Sequence, residues 1–190
     1  MDMEKNARGQ LRGRAGAAPD WGAAHGISEL WTEIVPGLWV GGTADNDIVT
    51  IPRRTAPNGY PAGGDASITK EDFDSVCTLY AWARPADWGV LELRAPFYDG
   101  VIQAEHDDVR SSAIDWVVEQ VSAGRKTLVR CQAGLNRSSF VAAAAMLELG
   151  LADNADSAIS TIRRQRSPRC LFNAALVKEL HRIDNERKTA

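Results

Sequence analysis

Along the chain the spacing of apolar positions changes several times, and each change marks an element. Trp31 to Gly42 holds two short β-like segments on either side of a Pro36-Gly37 turn, so order is expected to begin with a hairpin. Ser75-Val76-Cys77-Thr78-Leu79-Tyr80 and Gly89-Val90-Leu91-Glu92-Leu93-Arg94 read as further strands. Lys126-Thr127-Leu128-Val129, apolar and β-branched, reads as a buried one. Helical spacing runs from Val109 to Val121, with Gly124 as the stop, and Phe140 to Leu147 is a strong helix former by propensity. Two more helical stretches, Ala155 to Arg166 and Asn173 to Glu186, are split by Ser167-Pro168-Arg169. Thr69 with Glu71 and Asp72 supplies the cap and acidic first turn of a short helix between Ile68 and Phe73.

Strands alternating with helices predict a three-layer α/β domain: a small, mostly parallel central sheet flanked by helices on both faces, with its site at the carboxyl ends of the strands. Residues 29–190 are expected to form this domain. Residues 1–28, rich in Gly, Ala, Arg and Asn without apolar periodicity, read as a flexible tail, with Trp21 partly docked on the body. Residues 43–67 carry Pro52, Pro57, Gly59, Pro61, Gly63 and Gly64 and read as a long loop insert, in which Arg53-Arg54 is a solvated pair. Cys77 reads as core, Trp82 and Trp88 as packing residues on the sheet edge, and Arg163, Arg164 and Arg166 as a solvated basic face.

A chain of 190 residues suits one domain with a well-buried core, and 44% apolar with 25% charged residues is ordinary globular composition. A formal charge of −3 argues against nucleic acid or an anionic membrane as the main partner. No apolar run reaches the length of a membrane span, and the N-terminus lacks an apolar signal core, so the expected compartment is the cytoplasm. Three cysteines, Cys77, Cys131 and Cys170, in no disulfide-like pattern agree with a reducing compartment. The histidines His25, His106 and His181 stand far apart with no paired Cys-x-x-Cys, so neither a metal nor another cofactor is expected.

The chemistry concentrates in Cys131-Gln132-Ala133-Gly134-Leu135-Asn136-Arg137-Ser138, between the last strand and the alanine-rich helix. The first turn of a helix leaves its backbone N–H groups unpaired and carries a partial positive charge, so an anion fits there. Gly134 lets the loop curl until the amides of Gln132 to Asn136 converge on one point, the form of a phosphate nest. Arg137 adds a bidentate, charge-assisted contact that a lysine does not reproduce. Cys131 lies at the bottom of this nest, where the same field favours thiolate over thiol. A nucleophile beneath a bound phosphate implies phosphoryl transfer onto sulfur. Ser138 can then donate a hydrogen bond to the departing thiolate.

Cys-x5-Arg followed by Ser, between a strand and a helix, resembles the signature of the cysteine-dependent protein tyrosine phosphatases, in particular their dual-specificity branch. Ile34-Val35-Pro36-Gly37-Leu38-Trp39-Val40-Gly41 resembles the first hairpin of that branch. The resemblance implies a protein tyrosine phosphatase-like fold and a phosphorylated protein or peptide as substrate, phosphotyrosine first and phosphoserine or phosphothreonine after it. It also implies an acid ahead of the nucleophile, across one helix and one strand. Asp99, in Ala95-Pro96-Phe97-Tyr98-Asp99-Gly100, stands 32 residues before Cys131 and is the choice, as acid for the leaving oxygen and then base for water. The competing Asp107 and Asp108, with His106 beside them, read instead as the cap and first turn of the next helix.

Two departures are visible. The relatives place histidine directly before the nucleophile and this chain has Arg130, which keeps a positive charge near the loop but points it differently. The 43–67 insert is the other. Gln132, Ala133, Leu135 and Asn136 are neutral, which disfavours a highly phosphorylated lipid head group. An RNA 5′-triphosphatase or phosphoinositide phosphatase on the same loop, a non-catalytic phosphopeptide-binding module and a sulfurtransferase remain as alternatives. Cys170 is a candidate resolving partner for an oxidised Cys131.

Overall fold

The structure, a computed structural model, describes residues 29–43, 68–102 and 106–189. The 1–28 tail with Trp21 and His25, and the insert from residue 44 to 67 with Arg53-Arg54, lie outside the described residues. Five strands form one sheet: β1 (Trp31–Val35), β2 (Leu38–Gly41), β3 (Ser75–Thr78), β4 (Leu91–Arg94) and β5 (Thr127–Arg130), in the order β1-β2-β5-β3-β4. β1 runs antiparallel to β2 across the Pro36-Gly37 turn, with a register shift between Glu33 and Val35. The other pairs are parallel, so β2, β5, β3 and β4 all end on one edge. Gly37 adopts φ +83, which lets the two-residue turn close. Its amide donates to the Glu33 side chain at 3.0 Å.

Four helices follow: α1 (Asp107–Ser122), α2 (Arg137–Glu148), α3 (Ala155–Gln165) and α4 (Ala174–Thr189). Strand alternation sends Val40, Cys77 and Val129 to the face these helices cover. Ala142 to Ala145 of α2 are all fully buried there, and side chains that small let the helix sit close to the sheet. Val76 and Leu128, one residue out of phase, join Trp31, Phe73, Ile68 and Val90 in a second cluster on the opposite face. The α/β layering inferred from sequence is therefore present. Among the described residues the layer opposite the helices is irregular chain rather than helix.

Three local expectations change. Ile68 to Phe73 makes a single turn, not a helix: the amides of Asp72 and Phe73 both donate to Thr69 O, at 3.0 and 3.1 Å, while Thr69 donates back to Asp72 Oδ2. The chain leaves the helical path so that Phe73 can pack edge-on against Trp31 and Trp39, with ring centroids 5.1 and 5.7 Å away. Trp82 and Trp88 do not pack on the sheet edge; Trp82 is exposed and Trp88 is 100% exposed. Their connection is held by its carbonyls, Ala81 and Ala83 accepting from Arg94 and Arg84 from Arg130, which fixes the backbone and leaves the indoles outside. Arg166, expected on a solvated face, is buried at the end of α3.

Candidate active site

β5 delivers Cys131 to the carboxyl edge of the sheet. The Cys131 amide donates to Gly41 O at 3.2 Å, and the chain then curls through Gly134, at φ +70, into the first turn of α2. A Cβ on Gly134 would run into the backbone of Gly41 and Gly42 and the guanidinium of Arg166, so glycine is required by both torsion and space. Gly42 is equally constrained, since a Cβ there would stand 2.9 Å from Gln132 O. Thr43 N donates to Gln132 O at 3.1 Å, so the end of the first hairpin is the outer wall of the loop.

Within the curl, Cys131 Sγ accepts from Gly134 N at 3.2 Å and stands 3.2 Å from Ser138 Oγ. Cys131 is 1% exposed, at the base of the loop. The amides of Gln132, Ala133, Leu135, Asn136 and Arg137 donate to no protein acceptor among the described residues. This is the donor cluster expected of an anion nest at a helix N-terminus. Arg137, the first residue of α2, spends Nη1 on Leu79 O at 3.1 Å and Phe97 O at 3.2 Å, the carbonyls that follow β3 and β4. Its Nε is buried without a hydrogen-bond partner. The nearest carboxylate oxygen, Asp99 Oδ2, is 3.8 Å from it.

Asp99 sits on the irregular segment after β4, facing Arg137 and the loop. Asn136 Nδ2 donates to Asp99 Oδ2 at 3.3 Å and Asn173 Nδ2 to Asp99 Oδ1 at 3.2 Å. Asn136 occupies the N-cap of α2, where its type usually bonds the helix amides, yet it makes no side-chain cap bond. Its side chain serves Asp99 instead. Above these groups opens a cleft of about 540 Å³, with Gln132 and Arg137 in its lining beside Asp99 and with walls that include Tyr80, Trp82 and Tyr98. The Arg137 guanidinium lies 5.6 Å from the Tyr80 ring centroid.

The competing aspartates point elsewhere. His106 is the N-cap of α1 without a side-chain cap bond and lines the same cleft as Asp99. Asp107 and Asp108 occupy the first turn as the sequence suggested, but Asp107 pairs with Arg110, and both line a separate groove between α1 and α4.

Arg130 and Cys131 are neighbours in sequence and diverge in space. Strand alternation puts Arg130 with Leu128 on the face opposite the helices, 1% exposed. There Nε donates to Thr78 Oγ1 at 3.0 Å, and Nη2 meets Arg84 O and, at 3.3 Å, Glu92 Oε1. Arg166 supports the loop from below, donating from Nε to Gly134 O at 2.6 Å and from Nη1 to Thr32 Oγ1 at 3.0 Å. Cys77 and Cys170 are free and buried, and burial pushes both thiols up; Arg166 pulls Cys170 the other way by a smaller amount. Among the described residues no group of three or more His, Cys, Asp or Glu is gathered as a metal would need, and no helix is long and apolar enough to cross a membrane.

The structure thus brings together Cys131, Gly134, Asn136, Arg137, Ser138 and Asp99 in one place. Asn173, Gly42 and Arg166 belong to the same site and were not assigned to it from sequence. The Gly41-Gly42 pair, a hairpin end without turn function, was the one local signal for a close backbone approach. Asn173 carried none, because its partner Asp99 is 74 residues away.

No family model matches this chain, and no curated protein matches it. Solved structures do. Human DUSP28 superposes with a TM-score of 0.63 at 17% identity, covering 85% of this chain and 97% of that one. Tk-PTP in its active form gives 0.57 at 20% identity over 82% and 97%. A mouse putative dual specificity phosphatase complexed with zinc tungstate gives 0.59 at 18% identity over 93% and 94%. The likeness is one of fold: the chain has the protein tyrosine phosphatase-like α/β fold of these dual-specificity and tyrosine phosphatases.

Proposed function

We propose that this protein is a phosphatase that hydrolyses phosphomonoesters through a cysteinyl-phosphate intermediate, without metal or other cofactor, and that phosphotyrosine in a protein or peptide is its leading substrate. The observation that carries the reading is the Cys131 sulfur lying 3.2 Å from both Gly134 N and Ser138 Oγ, inside a loop closed by Arg137 with a spare buried Nε. A cleft with Tyr80, Trp82 and Tyr98 in its walls suits an aromatic ester.

In the first step the Cys131 thiolate attacks phosphorus, the phosphorus–oxygen ester bond breaks, and the leaving oxygen takes the proton of Asp99. The amides of the loop and Arg137 hold the equatorial oxygens, aimed at charge that grows in the transition state. In the second step the Asp99 carboxylate removes a proton from water as its oxygen attacks phosphorus. The sulfur–phosphorus bond breaks, and Ser138 stabilises the thiolate that leaves. The products are the free hydroxyl compound and inorganic phosphate, and the protein returns to its starting state.

The test is hydrolysis of para-nitrophenyl phosphate in the presence of EDTA and a reductant, comparing the intact protein with Cys131→Ser and Asp99→Ala. The reading expects turnover that survives EDTA, is lost in Cys131→Ser and falls in Asp99→Ala. Turnover that persists in Cys131→Ser, or that EDTA abolishes, overturns it. Arg130 supports a second reading, because the place of the relatives' histidine is taken by a side chain directed to the other face of the sheet. An inert, reduced protein whose Cys131→Ser form still binds tungstate or a phosphotyrosine peptide makes it a phosphopeptide-binding module.

A further inference from the structure

Asp99 lies on a segment with no regular structure, yet both of its carboxylate oxygens are held, and the two donors come from different parts of the chain. Asn173 Nδ2 donates to Asp99 Oδ1 at 3.2 Å and to Gly100 O at 3.1 Å. Its own Oδ1 accepts from Ala175 N at 3.0 Å, capping α4. With a backbone N–H on one side of the amide and a carboxylate and a carbonyl on the other, only one orientation of the Asn173 side chain satisfies all three partners. The Asn173 main-chain N–H then donates to Asn136 Oδ1 at 3.2 Å, and Asn136 Nδ2 completes the triangle to Asp99 Oδ2 at 3.3 Å.

The segment that carries Asn173 is itself fixed to the catalytic loop. Leu171, buried, has φ +56, a left-handed conformation that leucine adopts only where its surroundings impose it. Those surroundings are visible: Leu171 N donates to Leu135 O at 2.9 Å, and Arg163 donates to Cys170 O at 2.9 Å and to Leu171 O at 3.0 Å. The strained turn sets Asn173 against the outer side of the loop, where it reaches Asp99.

We propose that Asn173 is a positioning residue for proton transfer, holding the Asp99 carboxylate in one plane over the Cys131 loop and tying acid and nucleophile into a single rigid unit. The proposal rests on the phosphatase reading above. A neutral amide has no transferable proton at working pH, so its part is geometric. Placement of an acid within hydrogen-bond reach of the leaving oxygen is what makes that acid effective.

The experiment is a double-mutant cycle of Asn173→Ser with Asp99→Ala, read as kcat and KM on two esters, para-nitrophenyl phosphate and phenyl phosphate. Serine keeps an oxygen that can cap α4 but is too short to reach Asp99. Asn173→Ala is run beside it, with melting temperature and tungstate inhibition measured for every form. The expected result for Asn173→Ser is a loss of about tenfold or more in kcat on phenyl phosphate, whose poorer leaving group needs the acid more. The loss on para-nitrophenyl phosphate is smaller, KM and tungstate inhibition stay close to those of the intact protein, and no further loss appears once Asp99 is alanine.

An equal loss on both esters, an undiminished loss in the Asp99→Ala background, or weakened tungstate inhibition overturns the positioning role and makes Asn173 a support of the loop or of α4. Those outcomes leave the phosphatase reading standing as long as the intact protein turns over. An intact protein inert on both esters defeats that reading, and this inference with it.

Discussion

Arg130 and Arg137 bracket the same loop, are both buried, and differ in what their donors find. Arg130 is enclosed in a network of Thr78, Glu92 and the Arg84 carbonyl on the face of the sheet away from the helices. Arg137 uses Nη1 to lock the ends of β3 and β4 together and keeps a buried Nε without a hydrogen-bond partner, on the Cys131 loop and 3.8 Å from Asp99 Oδ2. A buried polar donor left unpaired is rare enough to demand a reason. Burial and charge alone therefore do not separate the two arginines; an unpaired donor beside the unpaired amides of the Cys131 loop does.

The largest effect that separates the two belongs to Arg137. Removing well-aimed donors from developing charge costs about 10²–10³ in rate each, so Arg137→Ala is expected to lose about a thousandfold or more in kcat/KM in its folded form, with a lower melting temperature because the buried Leu79 and Phe97 carbonyls lose their donor. Arg137→Lys recovers only part, because an ammonium does not reproduce a bidentate contact. Arg130→Met inverts the pattern. It takes one of two arginines from Glu92, which keeps Arg94, Thr78 Oγ1 and Ala86 N, and it strips the Arg84 carbonyl of a buried donor; a buried polar group left unpaired costs about 1–3 kcal/mol, read by urea denaturation. The folded fraction is expected to retain most of its turnover. If Arg130→Met loses activity as steeply as Arg137→Ala while staying stable, the contrast between the two arginines is wrong.

Smaller effects sharpen the same line. Gly134→Ala forces a left-handed alanine, at a penalty of about 1–2 kcal/mol, and drives its methyl toward Gly41, Gly42 and Arg166. Both stability and tungstate affinity are expected to fall together, since loop shape and anion binding are one property. Asp184, far from the loop, gives the smallest change. A hydrogen bond from Lys188, aided by the Ala155 amide and Arg187, holds its carboxyl below the usual range. A lowered native value means stability that is present above the ordinary aspartate range and is lost as pH falls through the native value. Asp184→Asn is thus expected to lower the melting temperature at neutral pH, to differ less from the intact protein in acid, and to leave kcat unchanged throughout.

What could be read from the chain before the fold was known follows the distance over which each feature is set. The Cys131 loop is contiguous, and its strand, glycine and helix flanks are local choices, so Cys131, Gly134, Arg137 and Ser138 were legible together. The same holds for the Pro36-Gly37 hairpin and the Gly124 helix stop. Asp99 was reached only through a resemblance. Asn173 and Arg166 were not reached at all, because hydrogen bonds spanning 74 and 32 residues leave no periodicity. Arg163 and Arg164 are exposed as expected, and Arg166 alone departs, because charge patterning says nothing of the Gly134 carbonyl or of the Glu29 and Leu30 carbonyls just ahead of β1. Trp82 and Trp88 failed for the opposite reason: large apolar side chains were assumed to pack, while hydrogen bonds to the backbone of their own connection left them outside.

The central claim is a phosphoryl group carried on Cys131, and the most direct test is to trap it. Asp99→Ala lacks the base for the second step but can still pass phosphoryl from para-nitrophenyl phosphate to sulfur, because that leaving group departs without an acid. Acid quenching during turnover, followed by peptide mass analysis, is expected to find one phosphoryl group on the peptide containing Cys131 and none on the Cys131→Ser form. Turnover without a phosphorylated Cys131 peptide, or with the phosphoryl group on another residue, would contradict the account.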